Sequence, residues 1–68
     1  MNETRSVQIH PQAVVDPKAE LASGVVIGPG AVVGPDVQIG ENCWIGPNVV
    51  LEGRLTLGRD NRIFPGAC

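Results

Sequence analysis

A parallel β-helix is the fold this sequence predicts, on three observations. Ten consecutive hexapeptides run without a gap from Ile9 to Cys68, and each opens with a branched aliphatic residue: Ile9, Val15, Leu21, Ile27, Val33, Ile39, Ile45, Leu51, Leu57 and Ile63. All six prolines, Pro11, Pro17, Pro29, Pro35, Pro47 and Pro65, stand in the third place of their hexads. The fourth place is Gly24, Gly30, Asp36, Asn42, Asn48, Asp60 or Gly66 in seven of the ten. A period of six does not fit the 3.6 residues of an α-helical turn, and repeats of this length mark a solenoid of stacked coils.

Along the chain, turn and strand alternate every three residues. His10-Pro11-Gln12 turns into Ala13-Val14-Val15, Asp16-Pro17-Lys18 into Ala19-Glu20-Leu21, and Ala22-Ser23-Gly24 into Val25-Val26-Ile27. Gly28-Pro29-Gly30 followed by Ala31-Val32-Val33 shows the rule most plainly, a turn triplet before a β-branched stretch. Gly34-Pro35-Asp36 then precedes Val37-Gln38-Ile39, Gly40-Glu41-Asn42 precedes Cys43-Trp44-Ile45, and Gly46-Pro47-Asn48 precedes Val49-Val50-Leu51. Glu52-Gly53-Arg54 leads to Leu55-Thr56-Leu57, Gly58-Arg59-Asp60 to Asn61-Arg62-Ile63, and Phe64-Pro65-Gly66 to Ala67-Cys68. Proline's fixed φ suits a corner, where its missing N–H breaks no ladder bond. Gly, Asn and Asp tolerate the positive φ of a type II turn after it.

Side chains alternate along each short strand, so the fifth and first places face one way and the sixth the other. The first place is always aliphatic and the fifth mostly small and apolar, from Ala13 and Ala19 to Val49 and Leu55, so these two places line the interior. Cys43 is then expected as a buried, inert thiol. Asn61 breaks the pattern and is expected as a structural polar group among apolar neighbours, bonded in a turn or to a stacked Asn of the next coil.

Three hexads make one triangular coil, so residues 18 apart stack on one outer face. Sorted so, one face carries Val14, Val32, Val50 and Cys68; a second carries Glu20, Gln38 and Thr56; the third carries Gln8, Val26, Trp44 and Arg62. An exterior stripe of valines on a molecule whose interior is already filled marks a surface for another chain. Val14, Val32, Val50 and Cys68 are therefore the expected oligomer interface. A closed ring about an axis parallel to the helix suits triangular prisms, and a homotrimer is expected. Valine's strand propensity is the plainer explanation, but Glu, Gln and Thr fill the equivalent places on the second face. Trp44 is either a secondary contact or an exposed anchor.

Sixty-eight residues make one domain at most, with a core too small to be comfortable alone. A formal charge of −2 and five scattered basic residues argue against a nucleic-acid surface. No apolar run reaches the roughly 18 residues of a membrane span, and Met1-Asn2-Glu3-Thr4-Arg5 lacks the apolar segment of a secretion signal, so a cytoplasmic address is expected. Cys43 and Cys68 have no metal-ligand spacing, and reduced thiols without metal or cofactor are expected. The organisation read from the repeat is a lead-in over 1–8 and the β-helix over 9–68. Its stop at Cys68, one hexad into a fourth coil with no cap, reads as a cut through a longer solenoid.

Specific residues narrow the function. Ile9-His10-Pro11 with Ala13-Val14-Val15, then Ile27-Gly28-Pro29, Val33-Gly34-Pro35, Val49-Val50-Leu51-Glu52-Gly53 and above all Leu57-Gly58-Arg59-Asp60-Asn61-Arg62-Ile63-Phe64 stand in order along the chain. From Val7 onward this chain resembles the N-terminal portion of the acyl-carrier-protein-dependent UDP-N-acetylglucosamine O-acyltransferases of lipid A biosynthesis. The resemblance implies a left-handed parallel β-helix in a cytoplasmic homotrimer; general rules favour right-handed crossovers, to which this superfamily is an exception. It also implies transfer of a 3-hydroxyacyl group from acyl carrier protein to the 3-hydroxyl of UDP-N-acetylglucosamine without a metal. A histidine is the general base and nearby donors hold the oxyanion.

That catalytic apparatus lies in later coils and a C-terminal helical domain of the family, so no catalytic, substrate-binding or metal residue is assigned here and the fragment is expected to be inactive. His10, the sole histidine, occupies a turn place where the family has one in a structural setting. The competing reading is a truncated or engineered β-solenoid serving as scaffold or trimerisation module without catalysis. A zinc-dependent carbonic anhydrase of the same superfamily needs several histidines. Ice binding needs ladders of threonine, and Thr4 and Thr56 are all there are.

Overall fold

The computed structural model describes residues 6–65 and consists of ten short strands wound into a solenoid. In chain order they are β1 (Gln8–Ile9), β2 (Val14–Val15), β3 (Glu20–Leu21), β4 (Val26–Ile27), β5 (Val32–Val33), β6 (Val37–Ile39), β7 (Trp44–Ile45), β8 (Val50–Leu51), β9 (Leu55–Leu57) and β10 (Arg62–Ile63). They form three parallel sheets, β1-β4-β7-β10, β2-β5-β8 and β3-β6-β9. Every pairing joins residues 18 apart, as in Val14 with Val32, Gln38 with Thr56 and Trp44 with Arg62. Three hexads thus complete each coil, and the chain winds left-handed through just over three of them.

The ladder runs from coil to coil. Val14 N–H donates to the Ala31 carbonyl and Val32 N–H to that of Val49, both at 2.8 Å. Inside it, the first and fifth places of the middle coils make the core: Val25, Ile27, Ala31, Val33, Val37, Ile39, Cys43, Ile45, Val49 and Leu51 are all buried. In β6 the alternation is visible in a single strand, with Val37 and Ile39 buried and Gln38 exposed. Continuous apolar packing of one coil on the next is what a six-residue repeat with two inward places provides.

Among the described residues, the first and last coils are more exposed than the middle ones. Ile9, a first-place residue, is 45% exposed. Asn61 corrects the expectation of a polar group enclosed by apolar neighbours: it is exposed in the last coil, and its Nδ2 donates to the Gly58 carbonyl of its own turn at 3.0 Å. The same carbonyl accepts from the Cys43 Sγ at 2.9 Å one coil below, so the polar group is satisfied by the turn.

Corner chemistry follows the repeat with one exception. Gly24, Gly30, Asn42, Asn48 and Asp60, all fourth-place residues, have φ between 60° and 79°. Asp36 is not among them: β6 begins one residue early, at Val37, and the corner closes without a left-handed residue. In the coil above, the positive φ moves to third-place Gly53, at 73°, where the Gly-Pro rhythm is broken by Glu52-Gly53-Arg54.

Candidate functional site

The repeat places side chains on three flat exteriors joined by three corners. On the sheet β2-β5-β8, Val14, Val32 and Val50 stack in register and are 63%, 36% and 55% exposed. Cys68, the fourth expected member of this column, lies outside the described residues. The sheet β3-β6-β9 carries Glu20, Gln38 and Thr56, with the Thr56 hydroxyl donating to Gln38 Oε1 at 3.5 Å. The valine column is thus set off by a polar one next door.

The third exterior holds Gln8, Val26, Trp44 and Arg62 in register. Trp44 is half-buried and packs against Phe64, ring centroids 5.3 Å apart and tilted by 55°. Sequence reasoning placed Trp44 outward and missed this partner. Phe64 is 55% exposed and stands in a second place, where Gly28, Gly34, Gly40, Gly46 and Gly58 stand in other hexads. That departure from glycine was the available signal, since a bulky group there leaves the corner and must lie over the adjoining face.

The remaining candidates are structural in their bonding. His10 Nδ1 accepts the Gln12 backbone N–H at 3.1 Å. One hexad on, Asp16 Oδ1 accepts the Lys18 N–H at 2.8 Å from the same place of the repeat, so His10 acts as the acceptor of an Asx-like turn. Cys43 is a free, buried thiol. Among the described residues no three of His, Cys, Asp and Glu come within reach of one metal ion, and no helix is long and apolar enough to cross a membrane.

This alternation of glycine-proline corners and two-residue strands is matched by the family model for the bacterial transferase hexapeptide (six repeats) over residues 36–68. Residues 36–68 carry this family's repeat. It is also 72% identical over 60 residues, 88% of its length, to an acyl-carrier-protein-dependent UDP-N-acetylglucosamine O-acyltransferase of Verminephrobacter eiseniae. The resemblance to the UDP-N-acetylglucosamine O-acyltransferases is therefore shown at the level of sequence, and the chain is a homologue of part of such an acyltransferase. The match spans 23% of that relative's length.

Proposed function

We propose that this chain is the N-terminal β-helix portion of a UDP-N-acetylglucosamine 3-O-acyltransferase, over residues 9–68 with a lead-in at 1–8. The whole enzyme moves a 3-hydroxyacyl group from acyl carrier protein to the sugar nucleotide in the first step of lipid A synthesis, in the cytoplasm. The segment's own contribution is assembly: a homotrimer joined through the Val14, Val32 and Val50 column, with no catalytic residue of its own and no activity when alone. The observation that carries this reading is the 72% identity over 60 residues to an enzyme of that name. The exposed valine column supports the assembly role, because an apolar stripe beside the polar Glu20, Gln38 and Thr56 column is what a covered face requires.

A chimera tests it. The matching 60 residues of the Verminephrobacter enzyme are replaced by this sequence, and transfer from acyl carrier protein to UDP-N-acetylglucosamine is assayed. Retained transfer is expected from the chimera and none from the 68-residue chain alone. A folded chimera that no longer transfers would favour the alternative, a β-solenoid scaffold without catalysis.

A further inference from the structure

The chain holds one Trp, one Phe and no Tyr, and both aromatic rings line a single cleft on the exterior of β1-β4-β7-β10. The core uses neither, being built from Val, Ile, Leu, Ala and Cys. Phe64 is 55% exposed and lies against the half-buried Trp44, ring centroids 5.3 Å apart. Two rings held together outside an interior that is already filled form an apolar wall on the surface.

The cleft holds about 400 Å³, a volume in the range of small-molecule sites, and is lined in part by Val26, Trp44, Arg62 and Phe64. Among its described lining residues Arg62 carries the only charge. The Arg62 guanidinium is in no ion pair among the described residues, whereas Arg59 of the same coil reaches Glu41 at 3.7 Å and Asp60 at 3.1 Å. A groove on the exterior of β3-β6-β9 mixes Lys18 and Arg54 with Glu20 and Asp36, so an anion meets both signs there. The aromatic cleft instead sets one unpaired cation beside an apolar wall. A guanidinium presents its N–H donors in a planar fork that matches a carboxylate or phosphate, and an aromatic ring attracts another ring at its edge or offset face.

We propose that this cleft binds a small planar anion, its ring seated against Trp44 and Phe64 and its carboxylate or phosphate on the Arg62 guanidinium. The site stands on the cleft alone and goes beyond the assembly role proposed above. With a formal charge of −2 the chain as a whole does not draw anions, so a preference for a charged ligand over its neutral counterpart reports the local contact with Arg62. An aryl carboxylate and a nucleoside phosphate share this chemistry, and the experiment separates them.

The test follows the single indole N–H resonance of Trp44 in the whole chain by nuclear magnetic resonance. Benzoate and adenosine monophosphate are titrated separately, each beside its neutral counterpart, benzamide or adenosine. A saturable shift of the indole signal is expected with at least one anion, and binding about tenfold weaker with its neutral counterpart. Saturation by benzoate alone assigns an aryl carboxylate, saturation by adenosine monophosphate alone a nucleotide, and saturation by both the shared ring and anion. Arg62→Gln, which removes the charge, is expected to weaken the anion about tenfold with the circular dichroism spectrum unchanged. No saturable shift with either anion, neutral counterparts that bind equally well, or unchanged binding by Arg62→Gln overturns the site. Should that variant lose its β-sheet spectrum, salt dependence in the unmodified chain decides: anion binding that weakens with added sodium chloride is expected, and binding indifferent to salt overturns the contact with Arg62.

Discussion

Trp44 and Phe64 face each other across a corner of the solenoid, ring centroids 5.3 Å apart at 55°, from positions one coil and two residues apart in the chain. The pair couples β7 to the turn after β10, tying the last described coil to the one beneath it through side chains as well as backbone. Tilted aromatic pairs at this separation contribute roughly 0.5–1.5 kcal/mol beyond the area they cover. Phe64→Ala is therefore expected to lower the stability of the chain by about 1 kcal/mol and to shift the emission of Trp44, its only tryptophan. Urea unfolding followed by Trp44 fluorescence measures both; an unchanged midpoint with unchanged emission would show that the rings are independent.

Glycine separates close stacking from backbone conformation at two places in the same molecule. A Cβ on Gly40 would lie 2.7 Å from the backbone carbon of Gly58, in the coil directly above, where neither chain can yield without breaking ladder bonds. Gly53 has φ +73° but open space around its Cα. Gly40→Ala is expected to cost about 3 kcal/mol by overpacking, and Gly53→Ala about 1–2 kcal/mol by left-handed strain alone. Thermal melting of the two variants side by side checks the order, and a milder loss at Gly40 than at Gly53 would contradict the stacking argument.

Strand positions, the three columns and the 18-residue register were legible in the sequence because the repeat is strict: an aliphatic residue every sixth place fixes which side chains face inward, and the pairing of Gln8 with Val26 or Val32 with Val50 follows by counting. What escaped depended on where the described coils end or on side chains crossing a corner. Asn61 was expected inside because its place in the repeat is an interior one, yet the last described coil leaves that place open to solvent. Asp36 is of a residue type that tolerates a positive φ after Pro35, but it does not adopt one, and β6 begins early beside it. Phe64 reaching Trp44 required the direction of a side chain leaving a corner, which a periodicity does not supply.

Ile39 tests the core assignment directly. It is 3% exposed and pairs in register with Leu21 below and Leu57 above. An aspartate there places a carboxylate among the apolar side chains of the core, a penalty of several kcal/mol against a total stability of about 5–15 kcal/mol for ordinary domains. Ile39→Asp is expected to abolish the β-sheet circular dichroism spectrum. Its neighbour offers the control, since Gln38 is exposed on the same strand and Gln38→Asp is expected to change stability by less than about 1 kcal/mol. A native spectrum and melt for the Ile39 variant would show that this side chain does not face the interior.

Val32 lies at the centre of the valine column, between Val14 and Val50, and at 36% is the least exposed of the three. Its side chain points away from the filled interior, so a glutamate there keeps its charge in water in an isolated protomer and leaves the ladder bond from Val32 N–H to the Val49 carbonyl in place. If the proposed trimer is joined through this column, the same carboxylate is taken out of water at the contact, which costs hydration unless a cation meets it. Val32→Glu is accordingly expected to convert a trimeric mass to a monomeric one by light scattering, with the circular dichroism spectrum unchanged. Gln38→Glu, which adds the same charge to the adjoining polar column, is expected to leave the mass as it was. A trimer that survives Val32→Glu would mean that the valines are strand formers in solvent, and that the subunits meet elsewhere.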